Sequence, residues 1–599
     1  MAATMITYAS ILLMLVILKE RQLHHNSLIQ RQTWNDRYDY IVVGAGSSGC
    51  VVASRLAEDT NKTVLLIEAG GAQDLASDVP ALQKTMVGSL MDWKYPTVFQ
   101  PNAYKAIIGQ KEILIRGKVF GGSSSINSLN YYREPHSYFK TWENLTKVKT
   151  WTHNHVFPYF SKSENNLDFR LVADYPELYN MGGPQSINTI APDAILGRYF
   201  KNMQMMGYPI NDPDGFKPFG TTMLRRTVMN GVRQSSSLSY LEKLPKVNLH
   251  TLGDAEITRV LINHRKRAIG VEFFRNGNYH KVYANEEVIV SAGAIGSPKI
   301  LMLSGIGPKD HLQEHNITVL SDLKVGYNSV STIGVMIKFD IKDQSLIQKP
   351  VENLENFYNY IIHNKGPLAY KGSALACYPE HPLPGYTDVT QGCALPRTDV
   401  LGGDLDKLVI QYKDKDAWRE YYRPYLNRSY IICSSVLRRP KATGRIKLAS
   451  SNPFDTPLID PCIFCDPQDL KNFVNVFKTT INTYTTPYMK QFIEPYAKPI
   501  PGCTPCNEAY FCDSYVTCIT EQLAHTATPM GGNRIGVAGD PNAVVDEKLR
   551  VFGVSRLRIV DTSIIPVPTE QGNALGIMIA EYASAMIKED YKDMKSNFN

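Results

Sequence analysis

The chain has 599 residues, several times the length of about 150 residues typical of one domain, so two or three packed lobes are expected. Hydrophobic residues make up 43% and charged residues 20%, with 35 Pro and 41 Gly dispersed along the chain, which excludes disorder, collagen and coiled coil. Sixty-four basic against 57 acidic residues leave a formal charge of only +7, and the densest basic run, His264-Arg265-Lys266-Arg267, suits a solvated hairpin better than a nucleic-acid surface.

Met5 to Leu18 is a nearly unbroken apolar run. It has the length of a signal-peptide core and falls short of the ~20 residues that span a bilayer. We read residues 1–20 as a secretory leader, and the protein as extracellular with no stable membrane span. Two features belong equally to a retained anchor: Lys19 and Arg21 follow the apolar run, and no small-x-small cleavage site comes after it. Six of ten cysteines crowd one stretch, at Cys462, Cys465, Cys503, Cys506, Cys512 and Cys518, and glycosylation sequons begin at Asn61, Asn144, Asn316 and Asn427. The Cys-x-x-Cys pairs lie 37 residues apart, against the ~15 to 20 of zinc sites, and no suitably spaced histidine accompanies them. Disulfides in an oxidising compartment are expected, with open connectivity, and no metal.

Tyr38 to Val43 predicts a short strand, Gly44-Ala45-Gly46-Ser47-Ser48-Gly49 a turn, Cys50 to Glu58 a helix, and Lys62 to Glu68 a second strand ending in an acid. This is a dinucleotide-binding βαβ pattern. Gly44 permits the tight turn, Gly46 lets backbone approach a pyrophosphate beside Ser47 and Ser48, and Gly49 lets the helix pack on the strand. Glu68 is placed to accept hydrogen bonds from an adenosine ribose. Cys50 reads as a small buried apolar residue. The fingerprint by itself fits NAD or FAD.

Two further segments separate these. Gly117-Lys-Val-Phe-Gly121-Gly122-Ser123-Ser124-Ser-Ile-Asn127 resembles the first signature of the glucose-methanol-choline (GMC) flavoprotein oxidoreductases, and Gly293-Ala-Ile-Gly-Ser297-Pro298 through Ser304-Gly305-Ile306-Gly307-Pro308 is similar to their second. Asp540 to Asp546, Leu-Arg-Ile-Val-Asp561 and Met578-Ile-Ala-Glu581 look like the family's closing part, so the resemblance runs from about residue 38 to 587. It is closest in character to the insect secreted branch related to glucose dehydrogenase. The resemblance implies FAD, held by a Rossmann-like α/β domain, and an α+β substrate domain whose mostly antiparallel sheet roofs the flavin. It divides the chain into 36–340, mainly FAD-binding, a substrate-domain insertion at 341–434, and a region 435–587 that returns to the FAD domain. Gly121 and Gly122 can bring bare backbone to the diphosphate, with Ser123, Ser124 and Asn127 as compact hydrogen-bonding groups. Ala255 to Asn263, Arg267 to Phe274 and Glu287 to Ser291 predict successive strands, with Ile257 near the adenine. Asp561 and Asn573 complete the implied cofactor contacts.

The proton-handling positions depart from the family. Members that oxidise alcohols place a histidine of a His-Pro-x-Gly-Thr-like stretch beside the flavin. Counting back without a gap from Asp540, that position holds Thr528, and Gln571 takes the second, His or Asn, position, with Asn573 kept. A threonine hydroxyl is too weakly basic to replace imidazole. The nearby rescue is His525, expected at the last turn of a short helix over Ile519 to Ala524; an offset of three along an extended strand would turn it away from Thr528. Gly326 and Asn328 survive from another family stretch whose Asp-His pair is lost, and Arg133-Glu134 replaces Arg-Gly. Three readings follow. The first is a secreted FAD-dependent alcohol dehydrogenase or oxidase with an atypical pocket. The second is an FAD-containing lyase acting on a cyanohydrin. The third is an inactive FAD-binding homologue. Substrate identity, electron acceptor and oligomeric state are not written in the motifs.

Overall fold

The computed structural model describes residues 2–29, 31–210, 220–346, 354–369, 374–377, 392–394, 397–401, 404–506, 511–526, 528–569 and 572–596. The chain opens with helix α1 (Ala2–Asn26). Strand β1 (Arg37–Val43), helix α2 (Ser47–Leu56) and strand β2 (Val64–Ile67) then form the predicted βαβ unit, the strands pairing in parallel from Tyr40 opposite Val64 to Val43 opposite Ile67. All of β2 and the last four residues of β1 are buried. Such unbroken Val/Ile/Leu runs are what a strand covered on both faces requires.

β3 (Leu249–Leu252) continues the sheet in parallel beyond β2. β4 (Glu256–Ile262), β5 (Ala268–Arg275) and β6 (Asn278–Val290) complete it, β6 running parallel to β1 and antiparallel to β5. The third of these begins at Asn278, well before the expected Glu287. The cause is Asn276-Gly277, whose φ values of 50° and 79° make a two-residue hairpin compatible with strand twist. β6 leads into α3 (Gly293–Leu303).

The second sheet has eight strands among the described residues, and every pairing described in it is antiparallel. At its centre β7 (Ile333–Ile341) and β8 (Ser429–Leu437) pair from Ile333 opposite Leu437 to Asp340 opposite Tyr430. β8 is buried along its whole length. Helix α4 (Pro467–Tyr484) covers it, burying Phe473, Phe477 and Tyr484, whose hydroxyl donates to Ile432 O at 3.0 Å. After α5 (Asp513–Leu523), the two-residue strand β9 (His525–Thr526) pairs with β7. β10 (Leu557–Ile559) returns to the first sheet beside β6, and α6 (Gly572–Ser596) lies on α2, tied by Ser48 Oγ to Gly576 O and by Arg55 to Glu581. The architecture is therefore α/β with an α+β second region. The clustered cysteines join as Cys462–Cys465, Cys503–Cys518 and Cys506–Cys512, which removes the zinc reading. Cys50 is buried, and burial pushes its thiol up, as suits an inert packing residue.

α1 runs without a break past residue 20. Met14, Ile17 and Leu18 pack against the buried group of Val79, Tyr360 and Ile361, and Arg21 donates to Asn364 Oδ1 at 3.0 Å. No helix among the described residues is long and apolar enough to cross a membrane. His25 is buried, its Nδ1 3.0 Å from Glu242 Oε2 and its Nε2 3.1 Å from Asp78 Oδ2. Burial opposes its charge, but hydrogen bonds and charges from Asp78 and Glu242 outweigh that effect and push its pKa up to about 10. The folded value lies above the ordinary 6.5, so its stabilisation is complete below that pH and fades as pH rises through about 10. His25→Ala, which strands two buried carboxylates, is expected to lower stability by about 3–5 kcal/mol. Calorimetry across the pH range should show the deficit shrinking in alkali.

Candidate functional site

A cavity of about 720 Å³ lies between the two sheets. Its floor is built by two glycine turns in contact. Gly121 N donates to Ala45 O at 2.7 Å, and a Cβ on Gly122, where φ is +53°, would fall 2.6 Å from Gly46 Cα. A Cβ on Gly49 would overlap Gly44 O. Gly46, by contrast, has open space on the side where a Cβ would stand. Gly44, Gly46, Ser47, Ser48, Glu68, Gly122, Ser123, Ser124, Asn127, Ile257, Asp561 and Asn573 line this cavity, as do His525 and Thr528. Gly49 and Gly121 stand behind the wall as spacers, and Gln571 lies outside the described residues.

The side chains divide by what they bond. Ser48 Oγ donates to Gly576 O, Ser124 Oγ to Gly121 O, and Asn127 Oδ1 accepts from Leu129 N and Arg233, so these groups hold the wall together. Asp561 likewise accepts from Gly293 N, Ser563 N and Ser297 Oγ. Glu68 Oε2 accepts from Ala45 N at 2.8 Å and Oε1 from Gly70 N at 3.0 Å; burial pushes its pKa up to about 7 against the pull of those two N–H groups.

The cavity suits a dinucleotide. The N-cap of α2 is Gly46, which contributes no side-chain cap, so the first N–H groups of that helix have no capping side chain, and the space where a Gly46 Cβ would stand is open. A helix start of this kind favours a phosphate. Ser47 Oγ donates to Asn573 Oδ1 at 2.7 Å, drawing the start of α6 to the same place, and Asn573 Nδ2 is buried with no hydrogen-bond partner among the described residues. That orphaned donor at a cavity wall fits an acceptor such as a flavin carbonyl.

Above the floor, β9 sets His525 opposite Gly334 of β7. A Cβ on Gly334 would lie 2.8 Å from His525 Nε2, so the imidazole occupies the space that any larger residue would fill. Met336, two residues along β7 and therefore on the same face, lines the cavity, which makes this the cavity side of the strand. His525 lies beyond the end of α5, in the β-bridge, rather than in the expected last helical turn. It lines the same cavity as Thr528 rather than pointing away from it. Thr528 sits against the start of α6, its Cγ2 3.5 Å from where a Cβ on Gly572 would be.

Several lining residues carry no local signal. Glu112 accepts from Thr526 N at 2.9 Å, from Thr526 Oγ1 and from Tyr104 Oη, anchoring the strand beside His525; burial pushes its carboxyl up. Ser434, opposite Met336 in the β7–β8 register, and Arg226, which donates to Asn130, also face the cavity. Only tertiary pairing brings them there. Gly122→Ala is expected to reduce bound flavin about tenfold or more, since 1.4 kcal/mol of clash against Gly46 suffices. The ratio of absorbance at the flavin band to that of the protein reads it directly.

The family models described as GMC oxidoreductase match residues 38–332 and 440–580. Ecdysone oxidase of Bombyx mori is 31% identical over 94% of this chain and 83% of its own length. Glucose dehydrogenase [FAD, quinone] of Drosophila melanogaster is 32% identical, covering 92% and 87%. Among solved structures, formate oxidase of Aspergillus oryzae superposes with a TM-score of 0.79 at 25% identity, covering 94% of this chain and 100% of its own.

Proposed function

This chain belongs to the GMC oxidoreductase family and is an FAD-dependent enzyme of the alcohol dehydrogenase/oxidase type, and on that footing we propose that it oxidises a CH–OH group with His525 as the proton acceptor. The observation that carries the reading is that the glycine floor and the His525 imidazole line one cavity. FAD, when bound, would supply the two-electron acceptor for the hydride that leaves the carbinol carbon. The start of α2 and Gly122 would hold the diphosphate, Glu68 and Ile257 the adenosine end, and Asn573 the ring end. His525 Nε2, on the cavity face of β7, receives the hydroxyl proton, so that the carbinol loses a proton and a hydride and becomes a carbonyl. Glu112 keeps β9, and with it the imidazole, in register through Thr526. Thr528 offers a hydrogen bond to the carbinol oxygen without taking its proton. Gln571 keeps its proposed place at the second polar position.

A histidine that moves the proton is worth about 10² to 10⁴ in rate. In anaerobic stopped-flow with an oxidisable alcohol, His525→Asn is expected to slow flavin bleaching by that factor while leaving the flavin bound. Thr528→Val should cost about tenfold or less, in keeping with one uncharged hydrogen bond. The reverse order of damage would move the base assignment away from His525.

We further propose that the protein is secreted. Three disulfides favour an oxidising compartment, and the sequon residues Asn61, Asn144, Asn316 and Asn427 are all exposed. Protein expressed in insect cells should be recovered from the medium and lose mass on treatment with peptide N-glycosidase. Retention inside the cell at unmodified mass would contradict this.

A further inference from the structure

A second cavity, of about 270 Å³, adjoins the first, and Met336, Ile432 and Lys84 belong to both linings. The main cavity is lined by glycine turns and serines together with Trp93, Tyr95 and aliphatic side chains, and the second is walled by Leu401, Leu408, Tyr412, Tyr422 and Tyr430, with Lys338 and Gln411 completing it. The wall side chains are braced by one another and by Trp418. The Tyr412 ring stacks on Trp418 at 3.9 Å between centroids, Tyr412 and Tyr422 hydroxyls meet at 3.4 Å, and the Lys338 ammonium lies over the Tyr422 ring at 4.8 Å. Tyrosines fixed in this way present ring surface at little entropic cost.

The strands give the chamber a length and a direction. Gly334, Met336 and Lys338 share one face of β7, with His525 set before Gly334, Met336 on both cavities, and Lys338 on the second. At about 3.4 Å per residue, the run from Gly334 to Lys338 covers about 14 Å. On β8 the neighbouring face runs from Ser434 at the main cavity to Ile432, shared by both, and Tyr430 at the second. A molecule with its carbinol at His525 therefore has a wall of tyrosine and leucine side chains, with Lys338 at its far end, leading away from the reacting carbon.

We infer that the second cavity is a substrate subsite, and that the substrate is an alcohol borne on a flat apolar body, aromatic or polycyclic, that extends about 14 Å from the carbinol. This rests on the oxidation proposed above for its chemistry, but not for its binding. A small or fully hydroxylated alcohol would leave the Leu401, Leu408 and tyrosine surfaces uncovered or set its hydroxyls against them.

The experiment uses the FAD-loaded full chain with three probes: benzyl alcohol, 4-biphenylmethanol and D-glucose. Binding is read by intrinsic tryptophan fluorescence, for which Trp418 behind Tyr412 is a local reporter, and oxidation by anaerobic flavin bleaching. The biphenyl alcohol is expected to bind about tenfold or more tightly than benzyl alcohol, and glucose more weakly than either. Leu408→Trp, which fills the chamber, and Gln411→Trp, at its exposed rim, should each reduce the biphenyl-to-benzyl preference about tenfold. Equal binding of the two aromatic alcohols, a preference for glucose, or a preference that survives both variants would overturn the inference. Preferential binding that responds to the variants without any flavin bleaching would uphold the subsite and overturn the proposed oxidation instead.

Discussion

The structure depends on a contact that leaves no room for a side chain. The turn from Gly44 to Gly49 and the turn at Gly121–Gly122 meet backbone to backbone, with Gly121 N bonded to Ala45 O and Gly122 against Gly46 Cα. Because that approach is possible only where Cβ atoms are absent, the starts of α2 and α6 can converge, linked by Ser47 and Asn573, on one open volume. At the end of β2, Ala45 N and Gly70 N fix the Glu68 carboxyl beside the same turn. The floor of a site for a long anionic cofactor is thus a consequence of close packing.

The roof uses one further deletion of a Cβ. Gly334 in β7 makes the recess that His525 occupies, and Glu112, reaching from the other region, holds the two-residue strand that carries it. Neither the glycine nor the carboxylate need touch a ligand to matter. Shifting β9 by one residue would exchange His525 for Thr526 on the face of β7, so the pairing register decides which side chain meets the cavity.

How much of this was legible in the sequence follows from how local each feature is. The βαβ unit and the hairpin strands rest on neighbouring residues, and their order was readable; the early start of β6, directly after the Asn276-Gly277 turn, was not. The glycine turns were found for the same reason. The partners of Ser48 and Asn127 were not, since their hydrogen bonds go to Gly576 and Arg233, set by packing. At the proton-handling position, ungapped counting from Asp540 selects Thr528, and the pairing of β9 with β7, a contact distant in sequence, brings His525 to the same cavity. Residues such as Ser434 and Met336, opposite each other yet distant in sequence, carry no local mark at all.

The most direct measurement is a crystal structure of the FAD-loaded protein with an unreactive alcohol analogue bound. The account predicts the flavin diphosphate at the start of α2, and the analogue's hydroxyl within hydrogen-bond distance of His525 Nε2, about 2.6–3.2 Å. A hydroxyl held by Thr528 and Gln571 alone, with the imidazole turned away from the flavin, would contradict it.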